Sequence, residues 1–419
     1  MASIDTNGRR DFLSSFGLAS AAVLAHGVMP GSTLQGGVEQ APGGSGQRTE
    51  SEYLLAAGLT YLNTAALGPS PRSVLTRTLE AWYQLESNPV QMAYGEGAVH
   101  VATDRVREQA ATFLGCTAEE LLITRSTTDA MNTLVLGMRL RPGDRVLTTN
   151  HEHEGAEHGW THLAARQGIA IDVVNQPMTD YDPSSILKRL AAVITSDTRV
   201  ISVSHVLTSN GVRMPIAEIA ALARARGILS VVDGAQAVGH IPVNVRALGC
   251  DAYAASGHKW LMGPKGTGFL YVRREAQGDI APVQHGAGSR FVSQAVGMGS
   301  LPLVVGIGAA IEAMTARSMA SVEQRVLALR SHTYRGLTQI NGLRVLSPPD
   351  GPVATALVAA QLPDGIDSAT FMPMLREKHG VVVKRVDRKF FNGIRLSAHI
   401  FNTEAEIDRA LRVIREELV

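Results

Sequence analysis

The sequence predicts an α/β protein with a mostly parallel sheet and helices on both faces, followed by a smaller C-terminal α+β domain. Apolar segments typical of buried strands, such as "TRVISVSH" and "ILSVVDGAQ", recur between about residues 100 and 275. Helical patterns lie between them, and the clearest, "PIAEIAALARARG", begins with proline and ends with glycine. Strands and helices that alternate in this way form parallel sheets.

The pattern changes near residue 300. One long helix is predicted through "SLPLVVGIGAAIEAMTARS" and on through "VEQRVLALRSHTYRGLTQI". The short strands "GLRVLS" and "TALVAAQL" and a closing helix, "TEAEIDRALRVIREEL", follow. We therefore expect a large domain over residues 51–299 and a small domain over residues 300–419.

Composition indicates a globular protein that works on small molecules. The chain has 419 residues, 45% of them hydrophobic, with a formal charge of +1. This balance gives no basic face for nucleic acid and no acidic tail. The two cysteines, Cys116 and Cys250, are too few for a disulfide framework or a cysteine-rich metal site. One disulfide stays open, but two structural thiols are favoured.

The first thirty residues resemble an export signal. Arg9 and Arg10 precede the mildly apolar run "DFLSSFGLASAAVLAHG", as in a bacterial twin-arginine signal peptide. The run is too short and too weakly hydrophobic to span a bilayer, so we expect no membrane insertion. Residues 31–50 have the composition of a flexible linker. We expect a periplasmic or extracellular protein; a cytoplasmic protein with a disordered tail is the alternative.

Polar side chains follow two predicted strands. The strand in "ILSVVDGAQAVGH" ends at Asp233, with Gln236 in the turn after it. The next, in "CDAYAASGHKW", leads to Ser256, His258 and Lys259. The simpler interpretation of the aspartate alone is a cap for nearby backbone N–H groups. Two strand ends that together supply an acid, an amide, a hydroxyl, an imidazole and an amine favour a binding site.

Pyridoxal phosphate uses this set of groups. It needs an amine to hold its aldehyde as an imine, a carboxylate beside its pyridine nitrogen, and donors for its phosphate. We assign Lys259 to the imine, Asp233 to the pyridine nitrogen and Gln236 to the ring hydroxyl. Ser256 and His258 would face the phosphate.

A further anion site is predicted upstream. A strand ends at Thr124 and a helix opens behind "RSTTD", with hydroxyls at Ser126, Thr127 and Thr128. Free N–H groups at a helix N-terminus attract phosphate. By itself the pattern also fits a well-capped helix.

The segment "HEHEGAEHGW" contains His151, His153 and His158. Zinc is the obvious competitor to a cofactor here, but the helical spacing of a zinc motif is missing, because Glu157 stands four residues after His153. We therefore expect no metal. One imidazole would stack on the cofactor ring, and the other two histidines are expected at the surface.

These residues resemble the class V aminotransferase family, fold type I enzymes that use pyridoxal phosphate and include cysteine desulfurases and isopenicillin N epimerase-like proteins. The resemblance runs from "YLNTAALGPSP" to the C-terminus and is most specific at "DGAQAVGH" and "SGHKW". It implies a homodimer, through "QHGAGSRF" and "GMGSLP", and His153, seven residues before Trp160, as the stacking ring. It also implies that the cofactor is bound by Lys259, Asp233, Gln236, Ser256, His258, Thr127 and Thr128.

Two positions depart from the family pattern. Cysteine desulfurases carry a persulfide-forming cysteine on a C-terminal loop, and this chain has no cysteine after Cys250. Many members have an asparagine in the strand-end segment that here reads "SHVLTSNG", where Thr208 takes its place and Asn210 lies nearby. Sulfur transfer by the usual route is therefore not expected, and Thr208 becomes the candidate for the local cofactor contact.

The segment "NGIRLSAHIF" places Arg395 on a short apolar strand. A guanidinium binds a carboxylate through two hydrogen bonds, so we expect Arg395 to hold the α-carboxylate of an amino acid substrate. A structural salt bridge is the competing interpretation, and Arg385 is the alternative residue.

The resemblance and the residues together predict an aminotransferase or an epimerase in which Lys259 removes the α-proton and Asp233 supports the cofactor ring. A C–S lyase without a persulfide cysteine is the alternative. A protein that binds the cofactor or another ligand without turnover is the second alternative.

Overall fold

The computed structural model describes residues 52–90, 99–284 and 299–418. The predicted signal and linker, residues 1–50, lie outside the described residues, as does most of "QHGAGSRF".

The strands are β1 (Thr60–Tyr61), β2 (Leu121–Thr124), β3 (Arg145–Thr149), β4 (Ala170–Val174), β5 (Thr198–Ser204), β6 (Leu229–Asp233), β7 (Ala252–Ser256), β8 (Gly268–Val272), β9 (Arg344–Val345), β10 (Leu357–Gln361), β11 (Val381–Val382), β12 (Lys384–Arg385) and β13 (Gly393–Ser397). The helices are α1 (Arg72–Ser87), α2 (Val99–Leu114), α3 (Thr127–Gly137), α4 (Glu154–Gln167), α5 (Pro183–Val193), α6 (Ile216–Arg224), α7 (Val245–Leu248), α8 (Leu301–Arg317), α9 (Met319–Thr338), α10 (Ser368–His379) and α11 (Glu404–Glu416).

A seven-stranded sheet forms the centre, in the order β2-β8-β7-β6-β5-β3-β4. Only β8 runs antiparallel to its neighbours. Adjacent residues of a strand face opposite sides, and both sides are buried: Val232 packs into one core cluster and Val231 into the other. The predicted fold class, a mostly parallel sheet covered by helices on both faces, is confirmed.

The parallel strands end at one edge of this sheet, and five of the six, all but β4, end in a polar residue. These residues are Thr124, Thr149, Ser204, Asp233 and Ser256. The polar ends lie beside one another because β6 pairs with β7 in parallel, with Asp233 opposite Ala254. The strands are therefore apolar along their length and polar at their C-terminal ends, so one edge of the apolar sheet is a polar surface.

A second sheet, antiparallel and ordered β12-β13-β10-β9, forms from the C-terminal segment. Ile394 of β13 belongs to the core cluster that holds Leu329 of α9 and Ile407 of α11. Arg395, the next residue, lies on the opposite face of the sheet. One face of this small sheet is thus a core, and the other presents Arg395.

The predicted long helix near residue 310 is wrong, because the chain bends by 81° between α8 and α9. Ser318 stands at the break with a positive φ of 57° and caps α9 through its side chain. Before the bend, α8 packs in the core of the large sheet, and after it α9 runs from that core at Val326 into the core of the small sheet at Leu329. The domain boundary at residue 300 remains a prediction.

No single helix of the described ranges has both the length and the apolar character needed to cross a membrane. The bent pair α8 and α9 reaches that length and apolar character only when the two helices are taken together.

Candidate active site

The polar edge of the large sheet opens into a cavity of about 660 Å³. Part of its wall comes from the small sheet and the loop that follows β12. The cavity brings together all ten residues that the sequence analysis assigned to a site: Thr127, Thr128, His153, Thr208, Asp233, Gln236, Ser256, His258, Lys259 and Arg395.

Lys259 follows β7 in a tight turn at the floor of the cavity. Burial lowers the pKa of its amine to about 8, and the nearby charge of Asp233 offsets part of this effect. An amine with a pKa near 8 is partly neutral at physiological pH, as a nucleophile or a proton acceptor must be. An ordinary surface lysine would be almost fully protonated there.

Asp233 is buried at the end of β6. Burial raises the pKa of its carboxyl group, while a hydrogen bond from the Ala235 N–H and the charge of Lys259 act in the opposite direction. The capping bond expected of a lone aspartate is therefore present, at 2.8 Å to the Ala235 nitrogen. The second carboxylate oxygen leaves capacity for a cation at the cavity floor.

Gln236 connects two segments of the cavity wall through hydrogen bonds of its side-chain amide. Its Nε2 donates to the Ala65 carbonyl at 3.0 Å, and its Oε1 accepts from the Trp260 indole nitrogen at 2.8 Å. Trp260, next to Lys259 in the chain, packs against His240 with ring centroids 4.3 Å apart. An amide nitrogen carries two hydrogens, so one remains for a ligand.

The predicted anion site lies at the N-terminus of α3. Ser126 caps the helix by accepting from the Asp129 N–H. The Thr127 N–H donates to the Ser256 hydroxyl at 3.0 Å, and the two hydroxyl oxygens lie 2.7 Å apart. His258 contacts the Thr267 carbonyl through Nδ1, which leaves Nε2 as a second contact point. Helix dipole, hydroxyls and imidazole together suit a phosphate.

His153 caps α4, since its Nδ1 accepts from the Gly155 N–H at 3.0 Å. The residue is exposed to the open cavity. Its pKa is lowered to about 4, first by partial loss of solvent inside the cavity and then by the positive charges of Lys259 and Arg395. The ring is thus a neutral, flat surface at the cavity wall, as stacking on a cofactor requires.

The predicted surface position of His151 is wrong. His151 is buried, with Nδ1 2.6 Å from the Ser209 hydroxyl, Nε2 2.9 Å from the Gln176 carbonyl, and its ring against Phe390. His158 is exposed, as expected. Among the residues that the structure describes, no three histidine, cysteine or acidic side chains cluster as a metal site would need.

Arg395 is only 4% exposed, and burial lowers the pKa of its guanidinium to about 10. It is held by Thr208, whose carbonyl and hydroxyl oxygens accept from Nη1 at 2.7 and 2.6 Å. Within the described ranges, no salt bridge joins Arg395 to a carboxylate, and its buried Nε has no partner. This geometry opposes the structural salt bridge and favours an anionic ligand.

The contacts of Thr208 and Asn210 differ from each other. Thr208 lines the cavity and positions Arg395, while Asn210 points its amide at the Met178 carbonyl in the neighbouring loop. The amide of Asn210 is therefore used within the protein and lies outside the cavity lining.

Lys265, in the turn before β8, has hydrogen-bond partners of its own. Its ammonium donates to the Gly68 carbonyl at 2.7 Å and approaches the Ser70 hydroxyl at 3.3 Å. The Gly68 N–H in turn donates to the His258 carbonyl at 2.8 Å. This pair of contacts ties the segment around residue 68 to the turn that carries Lys259.

Sequence reasoning missed several residues of the cavity wall. Lys384, Lys389 and Phe390 line it, beside the already considered Arg385. Lys389 bonds to the Glu157 carboxylate at 2.8 Å and so ties this loop to α4. The cationic run "KRVDRK" was the available signal, but without the pairing of β12 with β13 nothing directed it to the site.

Glu152 was also missed. Its buried carboxyl group accepts hydrogen bonds from the Thr149 and Ser204 hydroxyls, both at 2.6 Å, and burial raises its pKa to about 7. It links the ends of β3 and β5.

Both cysteines are free thiols, and neither lines the cavity. Burial raises the pKa of Cys116 and of Cys250 to about 12. Neither thiol is therefore activated as a nucleophile.

The chain matches the family model "Aminotransferase class-V" over residues 60–410. It belongs to that family. The family depends on pyridoxal phosphate, as the sequence analysis predicted.

Two of the curated relatives have different activities. An isopenicillin N epimerase from Amycolatopsis lactamdurans is 29% identical over 385 residues, covering 86% of this chain and 96% of the relative. A cysteine desulfurase from Yersinia pseudotuberculosis is 29% identical over 381 residues, covering 84% and 91%.

Two solved structures share the fold. A cysteine desulfurase from Thermococcus onnurineus NA1 matches with a TM-score of 0.80 at 24% identity, covering 89% of this chain and 99% of its own. A cystine C–S lyase, solved with cysteine persulfide, matches with a TM-score of 0.78 at 24% identity, covering 86% and 98%.

The cavity fits pyridoxal phosphate. A buried carboxyl group at a strand end, an amine of lowered pKa, a flat neutral imidazole and a helix N-terminus with two hydroxyls supply the four kinds of contact that the cofactor needs. The fit rests on side chains that the protein itself holds in place.

The contact between Gly68 and the Lys259 turn gives a first prediction. A Cβ at residue 68 would lie 2.0 Å from the Lys259 carbonyl oxygen, so Gly68→Ala must displace one backbone segment. We expect a loss of about 1–3 kcal/mol in the free energy of unfolding and weaker retention of pyridoxal phosphate. Gly278, where a Cβ meets nothing within 4 Å, provides the control Gly278→Ala. Equal behaviour of the two variants in denaturant titration would contradict this role.

Proposed function

We propose that this protein is a pyridoxal phosphate-dependent enzyme that acts on the Cα of an amino acid, as an aminotransferase or as an epimerase similar to isopenicillin N epimerase. The observation that supports this most strongly is the joint placement of Lys259, Asp233 and Arg395 around one cavity. A cofactor-binding protein without turnover would have no need of a buried, unpaired guanidinium beside the amine.

The cofactor, when bound, supplies an electron sink for the bonds at the substrate's Cα. Asp233 would hold the protonated pyridine nitrogen, since a cation there offsets the unfavourable burial of its carboxylate. Thr127, Ser256 and His258 would hold the phosphate, and His153 would cover the ring.

Arg395 would hold the substrate's α-carboxylate. Thr208 occupies one edge of the guanidinium, so Nε and Nη2 remain for a carboxylate. This contact orients the α-proton towards Lys259. The Nζ of Lys259 would then accept that proton, because its pKa of about 8 leaves it partly neutral.

The destination of that proton separates the outcomes. Transamination would need Lys259 to return the proton to a position other than Cα, whereas epimerisation would need a proton to be returned to the opposite face of Cα. Loss of a side-chain sulfur group instead of reprotonation gives a C–S lyase.

The C–S lyase is the second candidate, and one observation favours it over a desulfurase. In the part of the chain that the structure describes, no thiol lines the cavity, and both cysteines have pKa values near 12. A protein that cleaves a C–S bond here would release its sulfur product without transfer to a cysteine of its own.

We also propose export by the twin-arginine route and assembly as a homodimer. Arg9 and Arg10 ahead of an apolar run support export, and the family resemblance of "QHGAGSRF" and "GMGSLP" supports the dimer. Export of an already folded chain suits an enzyme that binds its cofactor before it leaves the cytoplasm.

The lowered pKa of Lys259 predicts how cofactor uptake depends on pH. The amine must be neutral to react, so the uptake rate of cofactor-free protein should rise with pH and level off above about 8. Stopped-flow absorbance measures this rate. For a lysine amine in solution, the rate of reaction with the cofactor should keep rising until the pH approaches the ordinary lysine pKa of 10.5.

In Asp233→Asn the midpoint of the curve of uptake rate against pH should lie at a lower pH than in the wild type. The reason is that the Asp233 carboxylate raises the pKa of Lys259. A wild-type profile that still rises at pH 10 would refute the assignment of Lys259.

The reaction type is decided by a panel of L- and D-amino acids, cystine included. The holoenzyme is incubated with each, and keto acid, the opposite enantiomer and sulfide are measured. We expect keto acid or racemised product that depends on Arg395, with a loss of 100-fold or more in kcat/KM in Arg395→Met, on the order of 3 kcal/mol. Sulfide from cystine, with neither of the other products, would favour the C–S lyase.

Export is tested with residues 1–50 fused to a reporter that works only outside the cytoplasm. Replacing Arg9 and Arg10 by lysine should abolish the signal, since the receptor reads the arginine pair. The lysine-substituted fusion keeps the positive charge and the apolar run, so a loss of signal can be attributed to the arginines themselves. An unchanged signal would exclude the twin-arginine route.

A further inference from the structure

Lys384 faces Arg395 across the small sheet. The two are paired residues of the antiparallel strands β12 and β13, so their side chains leave the same face of the sheet. Like charges placed directly opposite each other destabilise a sheet. Both residues nevertheless line the cavity, which makes their pairing a feature of the site that needs an explanation.

The charge on this wall exceeds what an α-carboxylate would balance. The segment from β12 to β13 contributes four cations and one acid to the cavity lining: Lys384, Arg385, Lys389, Arg395 and Asp387. Lys389 is paired with Glu157, and Arg395 is assigned to the α-carboxylate. Lys384 and Arg385 remain.

Neighbouring groups do not neutralise Lys384. Lys384 is an exposed residue of β12 that faces the open cavity. Partial loss of solvent at this wall lowers the pKa of its amine most, the charges of Arg395 and Arg385 lower it further, and the carboxylates of Asp387 and Glu154 raise it by less. In the described ranges no carboxylate lies within salt-bridge distance of Lys384.

The cofactor does not explain this charge either. The groups suited to its phosphate, Thr127, Ser256 and His258, belong to the large sheet and the helix behind β2. Lys384 belongs to the small sheet, beside the residue assigned to the substrate.

We propose that Lys384 is a specificity residue that binds a second anionic group on the substrate's side chain, so that the enzyme prefers amino acids with a side-chain carboxylate or a similar anion. The inference rests on the proposed function and names its substrate class. A bound second anion would lie between like charges and relieve their repulsion. A neutral side chain would leave the repulsion between Lys384 and Arg395 uncompensated, so the enzyme would select against neutral amino acids.

The test compares both enantiomers of glutamate with those of glutamine, which has the same shape without the charge. The wild-type holoenzyme should react with glutamate at a kcat/KM about 10- to 100-fold above that for glutamine, as the loss of one charge-assisted hydrogen bond implies. The change of the cofactor's visible absorption on mixing reports the reaction.

Lys384→Met should remove most of this preference, through a rise in KM for glutamate with little change in kcat. Lys384→Arg should retain it. The matched control is Arg388→Met, which removes a cation of the same segment that is paired with Asp367 and lies outside the cavity lining. The control should keep the wild-type ratio.

The outcomes separate the two proposals. A holoenzyme that responds to no amino acid would overturn the proposed function and this inference with it. A wild type that uses glutamine as well as glutamate, or a Lys384→Met variant that keeps the wild-type ratio, would overturn the role of Lys384 alone.

Discussion

The site depends on the burial of an acid and an amine at neighbouring strand ends. Burying a charged group is costly unless an opposite charge or hydrogen bonds compensate it. Asp233 and Lys259 are both desolvated, and each moves the other's pKa towards its charged form. The parallel pairing of β6 with β7 fixes this arrangement, because it brings the end of one strand beside the turn that leaves the other.

Much of the surrounding structure holds that turn in place. Gly68 donates to the His258 carbonyl on one side of Lys259, and Lys265 holds the Gly68 carbonyl. Gln236 joins Trp260 to the Ala65 carbonyl on the other side. These contacts use three separate stretches of the chain, so the reactive amine is positioned by tertiary packing rather than by its own turn.

The small sheet completes the cavity with positive charge. Its inner face presents Arg395 beside Lys384, and the loop after β12 is tied to α4 by Lys389. The large sheet alone would hold a cofactor, whereas selection of a substrate needs this second wall.

The fold and the residues of the large sheet could be predicted from the sequence, because periodicity and strand-end polarity are local signals. Asp233 and Lys259 were found this way, and all ten predicted residues line one cavity. The bend at Ser318 was missed because a single serine with a positive φ leaves no trace in an apolar pattern. Lys384 was missed for a different reason, since its meaning depends on strand pairing across residues 384–397, which composition does not reveal.

The central claim, that the amine of Lys259 is the attachment point of the cofactor, is tested most directly by reduction of the holoenzyme with borohydride, followed by peptide mass spectrometry. Reduction fixes the bond between cofactor and amine, so the modified lysine can be identified by its mass. We expect one modified peptide, carrying the cofactor on Lys259, and none in Lys259→Ala. Modification at Lys265 or Lys384 instead, or an unmodified wild type that is fully active, would contradict it.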